Sequence, residues 1–197
     1  MKIAVTGGIG SGKSYFCRLL ADYGISVYDC DAGAKRLMAQ SAELQEGLRR
    51  LVGDGVYINK VLQKNVLAKF LLASEANKLA VDEVVHPAVA ADFLSSGLDW
   101  LESAILFDSG FYLRVHFDKI VCVSAPLDVR VRRVMNRDGI SREKAMEWIG
   151  RQLGQQEVER RSDYVIINDG RELHPQIQEL IKQINNKKTR KWKQFFL

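Results

Sequence analysis

Lys13 and Ser14 close the glycine-rich segment TGGIGSGKS (Thr6 to Ser14), and two carboxylates, Asp29 and Asp31, follow in YDCDAGAKRL. Gly7 to Ser14 matches G-x-x-x-x-G-K-[ST], a pattern that carries chemistry when a strand precedes it and a helix follows. Bare glycine backbone can fold around a phosphate with several N–H groups turned inward. On this reading Gly8, Gly10, Ser11, Gly12 and Tyr15 contribute to the wall of a nucleoside triphosphate site. Lys13 reaches the β- and γ-phosphates, and Ser14 holds Mg²⁺. A carboxylate at the rim can accept the proton of a hydroxyl that attacks phosphorus. Asp29 and Asp31 are two apart in sequence, so both can face the phosphate, and spacing alone does not choose between them.

These residues need a scaffold, and the apolar pattern supplies one. KIAVT (Lys2 to Thr6) reads as a buried strand that runs into the glycine loop, and Gly12 to Tyr23 as a helix stopped by Gly24. ISVYD, SAILFD (Ser103 to Asp108), KIVCVS (Lys119 to Ser124) and DYVIIN (Asp163 to Asn168) read as four further strands. Helical patterns fill residues 32–97 around a turn at Gly53 to Tyr57. They recur from Leu127 to Arg161, and again from Glu172 to Asn185. Apolar strands separated by helices predict an α/β fold with a five-stranded parallel sheet, whose ligands bind at the carboxyl ends of the strands. Arg133 and Arg137 lie one helical turn apart and share a face. Residues 130–161 hold nine Lys and Arg against five Asp and Glu, an excess suited to covering a transferring phosphoryl group.

Composition narrows the partners. Of the 29 basic residues five lie in the last eleven, KKTRKWKQFFL; without them 24 face 24 acidic residues and the body is neutral. A duplex-binding surface needs a basic stripe on the folded body, so no nucleic acid is expected as a partner. No apolar run reaches the length of a bilayer span, and Met1 leads directly into a strand, so neither a membrane nor a secretory leader is expected. Three scattered cysteines fit a reducing, cytoplasmic setting.

The motifs taken together, TGGIGSGKS, YDCDAGAKRL, VVHPAV, AILFDSGF, RVMNRDGIS and DYVIIND, resemble those of dephospho-CoA kinases in order and spacing, from Met1 to about Ile184. The resemblance implies a P-loop kinase core (about 1–31, 98–136 and 162–186), a helical CoA subdomain (about 32–97), a lid (about 137–161) and a basic tail (187–197). It implies transfer of phosphate from ATP, with Mg²⁺, to the ribose 3′-hydroxyl of dephospho-CoA, the last step of coenzyme A biosynthesis, by a monomer or weak homo-oligomer. Residue by residue, it makes Asp31 the base and Arg137 the lid cation on ATP. Asn168 falls beside the adenine ring, and Lys64, His86 and Asp108 fall on the acceptor side. The chain departs from the family pattern at Tyr15 (usually Thr), Lys64 (often Arg), Asp108 (usually Glu), Arg130 (commonly Gln) and Trp148 (often Arg).

Overall fold

The computed structural model describes the backbone of residues 1–193 and the side chains of residues 1–186, so the expectation for a basic tail at 187–197 lies outside the described residues. Five strands form one parallel sheet: β1 (Ile3–Thr6), β2 (Val27–Asp29), β5 (Trp100–Glu102), β6 (Lys119–Ser124) and β7 (Tyr164–Ile167), in the spatial order β2-β5-β1-β6-β7. All four residues of β1 are buried, as a central strand covered on both faces requires. Ile3 and Val5 pack on one side with Phe16, Leu20, Leu173 and Ile177. Ala4 faces the other, toward Leu101, Leu106, Phe107 and Phe93.

The first layer comes from α1 (Lys13–Leu20) and α9 (His174–Lys193). A 3-10 turn, Ala21–Tyr23, extends α1, and Gly24 at φ 72° then ends it, where the sequence put the stop. On the opposite side α2 (Cys30–Gln40), α3 (Ala42–Val52) and α4 (Lys64–Ala73) pack around the long α5 (Glu75–Ser95). Ser41 caps α3 through the Leu44 N–H, and Ser74 caps α5 through the Asn77 N–H. This region is not wholly helical. β3 (Tyr57–Ile58) and β4 (Val61–Leu62) form a small antiparallel hairpin, turned by Asn59 and Lys60 at positive φ. Two-residue strands are too short for alternation to announce them.

The third strand of the sheet also differs from expectation. It is Trp100–Glu102, not Ser103–Asp108. Glu102 is level with Val5 and with Asp29, the last residue of β2. Ser103 still donates to the Val5 carbonyl at 2.9 Å, but one residue beyond Asp29 the neighbouring chain is already helix, and beyond Thr6 it has turned into the glycine loop. A strand without neighbours cannot continue. Residues 104–109 instead form turns, Ser109 N–H to Ile105 and Gly110 N–H to Phe107, which bury Leu106 and Phe107. The apolarity of SAILFD is that of a buried turn. The remaining helices are α6 (Leu127–Asp138), α7 (Arg142–Gly150) and α8 (Gln155–Arg160).

Candidate active site

β1, β2 and β5 end at one level, and the turns and helix starts just beyond them line one cavity of about 520 Å³, within the size range of small-ligand sites. Its walls include Gly10, Gly12, Lys13, Ser14, Tyr15, Asp29, Asp31, Glu102, Arg133 and Arg137. The N–H groups of Gly10, Gly12, Lys13, Ser14 and Tyr15 have no protein acceptor among the described residues. They are the unpaired donors of a loop and a helix start, and with the positive end of α1 they make an anion cradle.

The glycines have a second role that the motif does not reveal. The loop is held from behind, and four close approaches leave no room for a Cβ: Gly7 at the Val123 carbonyl, Gly8 at the Arg130 guanidinium, Gly10 at the Arg130 carbonyl and Gly12 at the Asn168 amide. Gly8 has no positive φ, so space rather than conformation requires glycine there. Ser11 is fully buried and turned inward; its N–H bonds the Gly8 carbonyl at 3.1 Å and its own carbonyl accepts from Asn168 Nδ2 at 2.8 Å. Asn168 thus stands behind the cradle, its amide oxygen receiving Arg133 Nη2 at 3.1 Å. Neither Ser11, Asn168 nor Gly8 lines the cavity.

Lys13 is only 9% exposed. Burial holds its ammonium below the usual lysine range, while the fields of Glu102 and Asp31 act to keep the proton on. Ser14 Oγ donates to Glu102 Oε1 at 2.8 Å. Glu102 escapes a reading of the sequence that starts the strand after it; as the end of WLE, it stands level with Asp29. Asp29 and Asp31 do not share a strand. β2 stops at Asp29, whose carboxylate caps α2 by accepting the Ala32 N–H at 3.0 Å. Asp31 lies in the first turn of α2, exposed and without a hydrogen-bond partner among the described residues, at the cavity wall.

Arg137 is exposed at the cavity rim and bonds the neighbouring Asp138, with Nη2 to Oδ2 at 2.8 Å. The other acceptor-side residues are elsewhere. Lys64 begins α4 on the surface. His86 sits inside α5, 3.4 Å from Asp82 and edge-on to Phe111, with burial pulling its imidazole pKa down. The Asp108 carboxylate accepts the Leu153 N–H at 2.6 Å and so ties the segment after β5 to the residues between α7 and α8. Burial pushes the three thiols up, Cys122 to about 12, which leaves no thiolate for covalent chemistry near neutral pH.

What this arrangement can do is bind a polyphosphate against Lys13 and α1, with a free carboxylate opposite for a hydroxyl acceptor. Comparison with known proteins gives the same class. The family model described as dephospho-CoA kinase matches residues 1–174. A dephospho-CoA kinase of Bacteroides fragilis is 43% identical over 189 residues, covering 92% of this chain and 91% of that protein. One of Porphyromonas gingivalis is 36% identical over 194 residues, covering 94% and 95%. A crystal structure from Thermus thermophilus is 33% identical with a TM-score of 0.77, covering 93% of this chain and 97% of that one. Dephospho-CoA kinase of Campylobacter jejuni (21% identity, TM-score 0.65, covering 95% and 100%) and shikimate kinase of Acinetobacter baumannii (15%, 0.58, covering 95% and 94%) share the fold. With the phosphate loop, the parallel sheet and the paired carboxylates all within that match, this chain belongs to the dephospho-CoA kinase family.

Proposed function

We propose that the chain transfers the γ-phosphoryl group of ATP to the ribose 3′-hydroxyl of dephospho-CoA, giving coenzyme A and ADP. The observation that carries this reading is the meeting of Lys13, Ser14, Asp31 and Glu102 on one cavity in a chain of this family. The inward N–H groups and Lys13 orient the triphosphate and stabilise charge on the oxygens of the transferred group. Asp31, free of the capping bond that occupies Asp29, accepts the proton of the attacking hydroxyl. Arg133 and Arg137, both at the cavity wall, add positive charge; Arg137 would exchange Asp138 for the nucleotide as the lid closes and water is expelled.

Mg²⁺ fits the residues present. Ser14 and Glu102 offer a hydroxyl and a carboxylate in contact with each other. Among the described residues no group of three or more His, Cys, Asp and Glu could hold a metal unaided. An ion held by one or two protein oxygens, with water and phosphate completing its shell, needs no such group. Bound there, the ion would neutralise the phosphate oxygens of ATP.

In this proposal the core spans about 1–31, 98–136 and 162–186, the acceptor rests against the helical region of about 32–97, and 137–161 is the lid. Lys64 would meet the outer part of the acceptor by charge. His86 and Asp108 would act through the shape of α5 and through the tie to the lid. Asn168 would set the adenine edge by holding the cradle. A cytoplasmic enzyme working as a monomer or weak homo-oligomer, without nucleic acid or membrane, completes the reading. Among the described residues no helix is long and apolar enough to cross a membrane. The test is incubation with ATP, Mg²⁺ and dephospho-CoA, with products read by mass. Coenzyme A and ADP in equal amounts are expected; ADP without coenzyme A would overturn the acceptor.

A further inference from the structure

Two side chains outside that mechanism close on a single residue of the phosphate loop, one on each of its flanking peptides. The Ile9 N–H donates to Gln152 Oε1 at 2.7 Å, and the Ile9 carbonyl accepts from Arg130 Nε at 3.0 Å. Gln152 lies between α7 and α8, and Arg130 lies on α6, so the loop is gripped from two elements. The Ile9 side chain joins them in a small apolar cluster with Val131, Val134, Ala145 and Trp148, separate from the main core.

Arg130 is unusual in its surroundings. It is 5% exposed, and its remaining bond is to an amide oxygen, Gln155 Oε1, at 2.8 Å. The acid of this network, Glu159, bonds Gln155 and Ser124. No carboxylate pairs with the guanidinium among the described residues. A buried cation without a counter-ion is unfavourable, yet an arginine cannot shed its proton. Its field reaches Lys13 at the mouth of the cradle, and a Cβ on Gly8 would strike its guanidinium. The loop that Arg130 abuts, at Gly8 and Ile9, is the one that would hold a triphosphate.

We infer that Arg130 and Gln152 are positioning residues for the nucleotide: together they fix the two peptides that flank Ile9, and the unpaired charge of Arg130 behind the loop favours a bound polyphosphate. The inference rests on the proposed ATP site and is independent of the acceptor. Burial lowers the pKa of the guanidinium, the mark of a charge desolvated without an acid beside it.

The opposing view is that Arg130 is scaffold only, and the two views differ in a quantity other than activity. Arg130→Gln keeps a donor for Ile9 and removes the charge; Arg130→Lys keeps the charge and loses the fork; Gln152→Ala frees the Ile9 N–H. For each, the thermal midpoint without nucleotide and the Kd of ATP by calorimetric titration are measured in the absence of dephospho-CoA. Arg130→Gln is expected to hold or raise the nucleotide-free midpoint while weakening ATP by about 10–100-fold, the scale of a unit charge acting across several ångströms of protein. Arg130→Lys should recover part of that loss. Gln152→Ala should weaken ATP by less than about tenfold and blunt the response of Trp148 fluorescence to ATP. Wild-type ATP affinity in Arg130→Gln overturns the inference. So does a midpoint that falls in step with affinity, which marks a scaffold. Because no acceptor is present, failure of the dephospho-CoA assay leaves this test standing, and failure here leaves that assay standing.

Discussion

Asp29 and Asp31 are chemically identical and two positions apart, yet they have different work. The Asp29 carboxylate is spent on the Ala32 N–H, the bond expected of an aspartate at a helix N-cap. Asp31, in the first turn of α2, has no hydrogen-bond partner among the described residues and lies at the cavity wall, close enough to Lys13 for its field to act there. Asp31→Asn preserves size and cannot accept a proton, so turnover should fall about 10²–10⁴-fold with ATP affinity nearly unchanged. Asp29→Asn should reduce turnover far less, because an asparagine side-chain oxygen still caps the helix. Saturating kinetics on both variants decide the matter, and a larger loss in Asp29→Asn would assign the base to the wrong carboxylate. Glu102 makes the complementary point: its type is visible in the sequence, and its place becomes clear only once β5 is seen to end there.

The phosphate loop owes its shape to its neighbours as much as to its own backbone. Gly10 and Gly12, at φ 80° and 90°, require glycine for conformation. Gly8 does not, and the space a methyl would need is filled by Arg130 and Gln152. Gly8→Ala should therefore lower nucleotide affinity and stability by about 1–3 kcal/mol through overpacking. The effect should be strongly non-additive with Arg130→Gln, since the shorter side chain gives way. A double-mutant cycle on ATP Kd and thermal midpoint measures the coupling. Additive losses would mean that Gly8 is needed by the phosphate itself. The resemblance singles out Arg130 only as a departure from the family pattern, and the reason for its burial lies in contacts with residues more than a hundred positions away.

Across the molecule, the helical side is joined to the sheet at the segment that carries both aspartates. Asp92, near the end of α5, receives Tyr28 Oη of β2 and Arg36 Nη2 of α2, each at 2.5 Å. These donors hold its carboxyl below the usual carboxylate range. A depressed folded pKa contributes stability that is complete above the unfolded value of about 3.9 and is lost as pH falls through the folded value. Asp92→Asn should accordingly lose about 1–3 kcal/mol in urea unfolding at neutral pH. It should also unfold with a shallower pH dependence below about pH 4; an unchanged acid limb would show that the join is not electrostatic. The class of fold, the cradle and the candidate carboxylates are all readable in the linear chain. Burial periodicity and a contiguous phosphate motif are local properties, and a helix or strand that repeats them declares itself. The end of β5, the hairpin of β3 and β4, the inward turn of Ser11, and the contacts of His86 and Asp108 are not readable there. Each depends on which neighbour stops first or fills a space: β5 ends because β1 and β2 end beside it, and Gly8 stays bare because Arg130 is there. Such contacts join residues far apart in the chain, and only the folded arrangement fixes them.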